Sequence, residues 1–295
     1  MLYGTGRRSL SRAWVILHRV QRSGPSGPID STRTTPDGGF RFTVAQADTN
    51  AVYVASSWYD GIAYFSDPVP MGRRTSVMFQ PIIVYDTTTG GPPIEVSHRL
   101  VTVAKPKADG TRAVLELLAL ENTGTATKVA LDSTRPNWKG AIPPEGIQFE
   151  VGQGDISPEA VGLSNDTVLV FGPIPPGGPK QLNYSYVLPA TTQQLSLPID
   201  QHLGELLLLL EDTTTGVLAP GVEAMGIEEI EHRRFASYRA SDLARGADVV
   251  LTFPARAFSV QSLLPYVIGL VGLALVAGLV IAVRRSRLAP ERASS

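Results

Sequence analysis

The feature that most constrains this chain is a run of 21 residues, 263–283, that contains no charged side chain. At 1.5 Å per residue, a helix of this length crosses the hydrocarbon core of a bilayer, which is about 30 Å thick. A helix also pairs its own backbone amides, as lipid requires, and a buried core helix rarely runs this long without a charge. The run therefore predicts a single-pass transmembrane α-helix.

Three arginines determine the predicted orientation of that helix. Arg284, Arg285 and Arg287 follow it immediately, and an excess of arginine marks the cytoplasmic side of a membrane. We therefore expect a basic cytoplasmic tail at 284–295 and a periplasmic or extracellular N-terminal bulk, anchored in the inner (cytoplasmic) membrane. An export signal is not evident, because the apolar run at 13–17 is shorter than a signal core of about 7–15 residues. Either the true start lies upstream, or the chain is already a mature or mis-started form.

Small side chains recur along one face of the predicted helix. Ala274, Gly278 and Ala282 are spaced by four residues and therefore lie in one stripe. Such stripes let two membrane helices approach closely, although small residues are also common in helices that only tether. The stripe favours lateral docking to another membrane protein without requiring it.

Composition and motifs argue against several classes of function. The chain has no cysteine and a net charge of −1, which rules out disulfides and thiolate metal sites. No basic stripe with interleaved aromatics indicates nucleic-acid binding, and neither a G-x-S-x-G elbow nor a Walker A motif occurs. We expect no enzymatic activity, no cofactor and no small-molecule substrate. Export without disulfides favours a bacterial protein.

Ahead of the helix, apolar runs of about four to eight residues alternate with turn signals, which predicts β-structure throughout. Turn residues at 37–39 (Asp-Gly-Gly) and 60–61 (Asp-Gly) separate short strands, and the polar stretch DTTTGGPP at 86–93 marks a boundary. We predict an all-β chain of two consecutive β-sandwich domains, 1–86 and 87–255. A tether at 256–262 then leads into the transmembrane helix.

The first domain resembles a known family. The segments AWVILHRV (13–20), STRTTPDGGFRFTV (31–44) and AVYVASSWYDGIAYFSDPV (51–69) are similar in kind and order to those of the carboxypeptidase regulatory-like domain, a transthyretin (prealbumin) sandwich. Its D-G-x-F-x-F turn is matched here by DGGFRF. The resemblance implies an adhesive or spacer module rather than catalysis, and the usual first strand of the family is missing or shortened. Farther on, ENTG at 121–124 resembles bacterial immunoglobulin-like modules.

One spacing imitates a metal site. His202 and Glu205 form H-x-x-E, the zinc-binding spacing of metallocarboxypeptidases, and His232 is the candidate third ligand. The spacing also arises by chance, Glu205 opens an apolar strand, and too little chain remains for a catalytic α/β domain. We therefore expect no metal here.

Four aromatic residues flank the turn at 60–61, namely Trp58, Tyr59, Tyr64 and Phe65. Aromatic residues in strands usually pack in a core. An exposed set at a hairpin would instead contact a partner protein or a sugar, and the sequence leaves both alternatives open.

Three functions agree with these observations. We favour a non-enzymatic accessory subunit of an integral membrane complex, whose partners are the lipid bilayer and neighbouring membrane protein subunits. Photosynthetic reaction-centre–antenna and respiratory complexes are examples, and no residue supports either one. The second function is a cell-surface or periplasmic adhesion module that binds a glycan or peptide, and the third is a zinc hydrolase.

Overall fold

The computed structural model describes residues 1–21, 26–45 and 48–254. Residues Met1–Phe253 form one compact unit of β-strands, which confirms the all-β class for this part of the chain. Its buried hydrophobic residues group into a C-terminal lobe, 94–253, and an N-terminal lobe, 1–85. The domain limits at 86 and 255 stay predictions.

The predicted membrane segment falls outside the described residues. Within those residues, no helix has the length and apolar character needed to cross a membrane. The features that stay predictions are the tether at 256–262, the helix at 263–283 with Ala274, Gly278 and Ala282, and the tail with Arg284, Arg285 and Arg287.

Eight strands belong to the N-terminal lobe. They are β1 (Leu2–Tyr3), β2 (Arg8–Ser9), β3 (Trp14–Val20), β4 (Gly27–Arg33), β5 (Val52–Tyr59), β6 (Ile62–Phe65), β7 (Val69–Pro70) and β8 (Ile83–Val84). One antiparallel sheet has the order β4-β3-β5-β6, with β7 also paired to β5. The β5–β6 turn has positive φ at both Asp60 and Gly61, as tight hairpins with the favoured twist require. A second, small sheet has β1 between β2 and β8.

Two segments of this lobe, in a part of the chain predicted to be β-structure throughout, are not paired within the described residues. At 40–44 and 75–81, Phe40, Phe42 and Phe79 are half-buried while their neighbours are exposed, but neither segment lies in a strand. The alternation of apolar and polar residues decides which side chains face inward. A ladder of backbone hydrogen bonds also needs a neighbouring strand about 4.8 Å away. Neither segment has a ladder partner among the described residues, so the inner side of the main sheet is covered without a second ladder.

Fifteen further strands follow. They are β9 (Thr87–Thr88), β10 (Glu95–Val103), β11 (Arg112–Glu121), β12 (Thr127–Lys128), β13 (Trp138–Ala141), β14 (Ile147–Val151), β15 (Val161–Ser164), β16 (Thr167–Val170), β17 (Lys180–Leu188), β18 (Gln194–Leu197), β19 (Leu203–Leu210), β20 (Gly216–Leu218), β21 (Glu223–Ile230), β22 (Arg233–Leu243) and β23 (Val249–Thr252). A 3-10 turn at Pro158–Ala160 precedes β15.

The C-terminal lobe is a sandwich built on a seven-stranded sheet, β14-β17-β11-β10-β19-β22-β21. Two three-stranded sheets, β13-β16-β15 and β18-β23-β20, complete it, and side chains from all three sheets share one hydrophobic cluster. Most neighbours in the large sheet are antiparallel, but the central pair β10 and β19 is parallel, with Val101 opposite Leu208.

A short contact joins the two lobes. β9 lies in the link after the N-terminal lobe and pairs in parallel with β12, placing Thr87 opposite Thr127. The hydroxyl groups of Tyr64 and Thr127 are hydrogen-bonded at 2.7 Å. A core residue of the first lobe is thereby fixed to an edge strand of the second.

Candidate functional site

The outer side of the main N-terminal sheet carries exposed aromatic residues. Trp58 is 70% exposed, Phe65 is 62% exposed and Trp14 is 53% exposed. Side chains alternate along a strand, so Ile16 and His18 share the outer side with Trp14, whereas Val15 and Leu17 are buried on the inner side. We call this outer surface the aromatic face and define it by Trp14, Ile16, His18, Val54, Trp58 and Phe65.

Strand register brings these residues together across three strands. Ile16 on β3 lies opposite Ser56 on β5, and Ser56 lies opposite Phe65 on β6. The rings of His18 and Phe65 are 6.3 Å apart between centroids. At the other end of the face, the guanidinium of Arg33 lies 4.5 Å from the Trp14 ring centroid, within the range of a cation–π contact.

The four aromatic residues singled out in the sequence divide between the two sides of the sheet. Trp58 and Phe65 point outward, whereas Tyr64 is buried and donates its hydroxyl hydrogen bond to the carbonyl oxygen of Tyr85 at 3.0 Å. Tyr59 is partly buried and donates to Asp86 at 3.0 Å. Burial, and then the hydrogen bond to Asp86, raises the pKa of Tyr59 to about 12. Two of the four are therefore available to a partner.

Among the members of the face that sequence reasoning missed are Trp14 and His18. The period of two in WVILHRV places them on one side of a strand. Which residues of other strands lie beside them depends on the pairing of β3 with β5, and that pairing is not visible in either segment alone.

Few polar groups on this face are free to bind a ligand. The Nε2 atom of His18 and the hydroxyl of Ser56 are hydrogen-bonded to each other at 2.7 Å, and Arg33 lies against Trp14. The remaining members are aromatic or aliphatic. The face is therefore suited to burying apolar surface rather than to holding a polar ligand in a fixed orientation.

The C-terminal lobe holds a buried polar cluster on β10, β11 and β17. Arg99 donates to both carboxylate oxygens of Glu116, at 2.7 Å and 3.1 Å. The hydroxyls of Tyr184 and Tyr186 donate to the same carboxylate at 3.0 Å and 2.8 Å, and Arg99 also donates to the carbonyl oxygen of Pro198 at 2.7 Å. Burial, reinforced by Glu116, raises the pKa of both tyrosines. The protein itself supplies partners to these groups, so we assign the cluster a structural role.

The three residues of the zinc alternative are not brought together. His202 Nε2 is 2.8 Å from Asp242, and Glu205 lies opposite Ser241 on β22. His232 is in the turn before β22, nine positions from Ser241, or about 30 Å along an extended strand. Across the described residues, no three histidine or acidic side chains are grouped so as to hold a metal ion.

Comparison with known proteins assigns no family to the chain. No family model matches it, and no curated protein matches it significantly. Among solved structures, the yeast delta-COP-I mu-homology domain complexed with a Dsl1 WxWxV peptide is similar over 56% of this chain and 78% of that chain, with 11% sequence identity and a TM-score of 0.17. A likeness at that TM-score carries no inference about this protein.

Proposed function

We propose that this chain is a non-enzymatic, membrane-anchored accessory protein that holds a neighbouring protein through the aromatic face. In this proposal the apolar run at 263–283 is the anchor, and the lobes lie outside the inner membrane as part of a membrane complex. The arginines after the run support that orientation. The resemblance of residues 4–85 to a transthyretin-like module supports an adhesive role for the N-terminal lobe.

The observation that carries the proposal is the exposure of Trp14, Trp58 and Phe65 on one side of one sheet. Soluble surfaces rarely expose contiguous large apolar patches unless they bind something. Tryptophan is also enriched among the residues that contribute most to protein–protein binding, because it buries a large area with little loss of conformational freedom.

The surroundings of the aromatic rings favour a protein partner over a glycan. A sugar needs hydrogen-bonding side chains placed beside the stacking ring. Here Ile16 and Val54 lie on the same side of the sheet as the rings, and the nearest charged group, Arg33, stacks on Trp14 itself. The polar pair on the face, His18 and Ser56, is already bonded internally. A partner that offers its own apolar surface fits this face better.

The test is quantitative co-purification after gentle detergent extraction. We expect Trp58→Ser to lower the recovery of the partner proteins at least about tenfold. A tenfold change corresponds to about 1.4 kcal/mol of binding free energy, which the loss of a central aromatic contact commonly exceeds. Because Trp58 is 70% exposed, the variant should fold normally and reach the membrane.

Leu218→Ser is the matched control, since Leu218 is 67% exposed but lies in the C-terminal lobe. It should recover partners as the unaltered protein does. Equal recovery with both variants would overturn the proposal. If the unaltered protein binds immobilised glycans and Trp58→Ser abolishes that binding, the ligand of the face is a sugar rather than a protein.

A further inference from the structure

One titratable side chain lies within the aromatic face. His18 is partly buried on β3 and lies opposite Val54 of β5, and its ring centroid is 6.3 Å from that of Phe65. The other five members of the face are tryptophan, isoleucine, valine and phenylalanine residues, which do not titrate. Any change in the charge of these six residues between about pH 5 and 8 therefore falls on His18.

A single hydroxyl group holds the His18 ring. The Nε2 atom and the hydroxyl oxygen of Ser56 are 2.7 Å apart, and Ser56 is buried. In the part of the chain that the structure describes, this is the one hydrogen bond of the ring. A hydroxyl group donates to an unprotonated ring nitrogen and accepts from a protonated one. The uncomplexed protein therefore keeps this bond in both charge states of the ring.

No carboxylate is positioned to compensate a proton on the His18 ring. β5 and β6 carry no charged residue, and Arg33 of β4, on the same side of the sheet, is itself positive. Asp30 of β4 and Arg19 of β3 lie opposite residues of the inner side. Asp67 is exposed just beyond β6. Among the described residues, neither Asp30, Asp67 nor any other acidic side chain forms an ion pair with the ring.

A histidine of the C-terminal lobe shows the opposite arrangement. The Nε2 atom of His202 lies 2.8 Å from a carboxylate oxygen of Asp242, and the His202 side chain is 60% exposed. A proton on that ring is compensated by a negative charge and by water. His18 has neither a carboxylate nor, once a partner covers the face, access to water.

A partner on the aromatic face would surround the His18 ring with apolar surface. Charged residues are depleted at the centre of protein interfaces, because a charge that loses water without gaining a partner is far costlier than a neutral polar group. The neutral ring can be enclosed with its bond to Ser56 intact. The protonated ring would bring an uncompensated positive charge into the interface, so the bound state favours the neutral ring.

We propose that His18 makes the aromatic face release its protein partner on acidification. The face holds the partner while the ring is neutral, and uptake of one proton by the ring opposes binding. Because binding excludes this proton, the affinity falls as the pH falls through the range in which histidine ordinarily titrates. This role of His18 rests on the proposed function, since it concerns the same face and the same partner.

The probe is the set of proteins that co-purify with the unaltered chain in gentle detergent at about pH 7.5 and are depleted at least about tenfold with Trp58→Ser. The complexes are held on a resin through a tag on the chain and washed at about pH 7.5 or about pH 5.5. We expect at least about fivefold less of these proteins on the resin after the acidic wash, because histidine changes charge between the two values.

His18→Gln separates the ring from every other group that titrates. Glutamine is uncharged in both washes and can hydrogen-bond to the hydroxyl of Ser56, so recovery should be equal after the two washes, whatever its level. His202→Gln is the matched control, since it removes an exposed histidine of the C-terminal lobe. It should show the same fall in acid as the unaltered protein.

A fall in acid of the same size with His18→Gln as with the unaltered protein would overturn the proposal, because the decisive proton would then bind elsewhere. Recovery that stays constant or rises in acid with the unaltered protein would also overturn it, while leaving the aromatic face as the binding site. If Trp58→Ser depletes no protein at about pH 7.5, the proposed function itself is wrong, and the role of His18 is wrong with it.

Discussion

In the C-terminal lobe the long inner strands are paired on both sides, whereas in the N-terminal lobe the segments 40–44 and 75–81 have no ladder partner among the described residues. The C-terminal lobe even buries an arginine and a glutamate with their polar groups bonded. The N-terminal lobe instead leaves two tryptophans and a phenylalanine exposed. The comparison supports the proposal that the first lobe carries recognition and that the second lobe supports it.

Hydrogen exchange should show the widest difference between the lobes. Amides at 40–44 and 77–80 have no backbone partner in the part of the chain that the structure describes, so we expect them to exchange within about tenfold of the unfolded rate. Those in the middle of β11 should be slowed at least about a thousandfold, since they exchange only when the lobe opens. Comparable protection in both places, measured by mass spectrometry on the unbound protein, would contradict the contrast.

The next effect is the loss of the buried carboxylate at Glu116. Glu116→Leu replaces the carboxylate by an apolar side chain of similar volume and leaves Arg99 buried without its carboxylate partner, at a cost of about 3–5 kcal/mol in unfolding free energy. Urea denaturation measures this cost. Glu121→Ala, at the end of the same strand and half-exposed, is the control and should cost less than about 1 kcal/mol.

The smallest predicted effect is a pH-dependent change in the free energy of unfolding, caused by Glu211. Hydrogen bonds from Arg233 lower the pKa of Glu211 from 4.5 to about 2, and the Lys105 amide also donates to it at 2.9 Å. A lowered pKa in the folded state stabilises the protein above pH 4.5, and this contribution disappears as the pH falls towards 2.

The unaltered protein and Glu211→Gln should therefore differ less in unfolding free energy as the pH falls from 5. The difference should be smallest near the Glu211 pKa of about 2. Urea midpoints at several pH values measure it. Glu150 forms no ion pair within the described residues, so Glu150→Gln serves as the control. A difference that does not change with pH would show that the Arg233 contact does not lower the pKa of Glu211.

The positions of many strands could be predicted from the local sequence pattern, but the pairing between strands could not. Alternation in VYVASSWY and the Asp-Gly turn identify β5 and β6 directly. The same alternation in FRFTV gives inward-facing phenylalanines but no strand, because a ladder depends on a neighbour that the segment does not encode. The parallel pairing of β10 with β19 was equally out of reach, since its partners lie more than a hundred residues apart.

For the candidate site, hydrophobicity alone would misplace side chains. In β11, Leu115 is exposed and Glu116 is fully buried, the reverse of what their polarity predicts. Burial of Glu116 is possible because Arg99 and two tyrosines from neighbouring strands meet it. At the hairpin, the sequence identified the aromatic residues, but only strand geometry separates outward Trp58 from inward Tyr64.

The parallel pairing of β10 with β19 has a consequence for folding during synthesis. Because the chain is made from its amino end, β10 must wait until β19 has been synthesised before the centre of the large sheet can form. β10, β11 and β17 can associate once Leu188 is available, but the other edge of β10 stays open until β19, ending at Leu210, has followed. At a synthesis rate of about 5–20 residues per second, the interval between Val103 and Leu210 lasts roughly 5–20 s. Throughout that interval β10 presents an apolar, unpaired edge, the kind of surface that joins to other chains. Newly made protein is therefore most vulnerable to aggregation before β19 arrives, and shielding β10 during those seconds should raise the yield of folded protein.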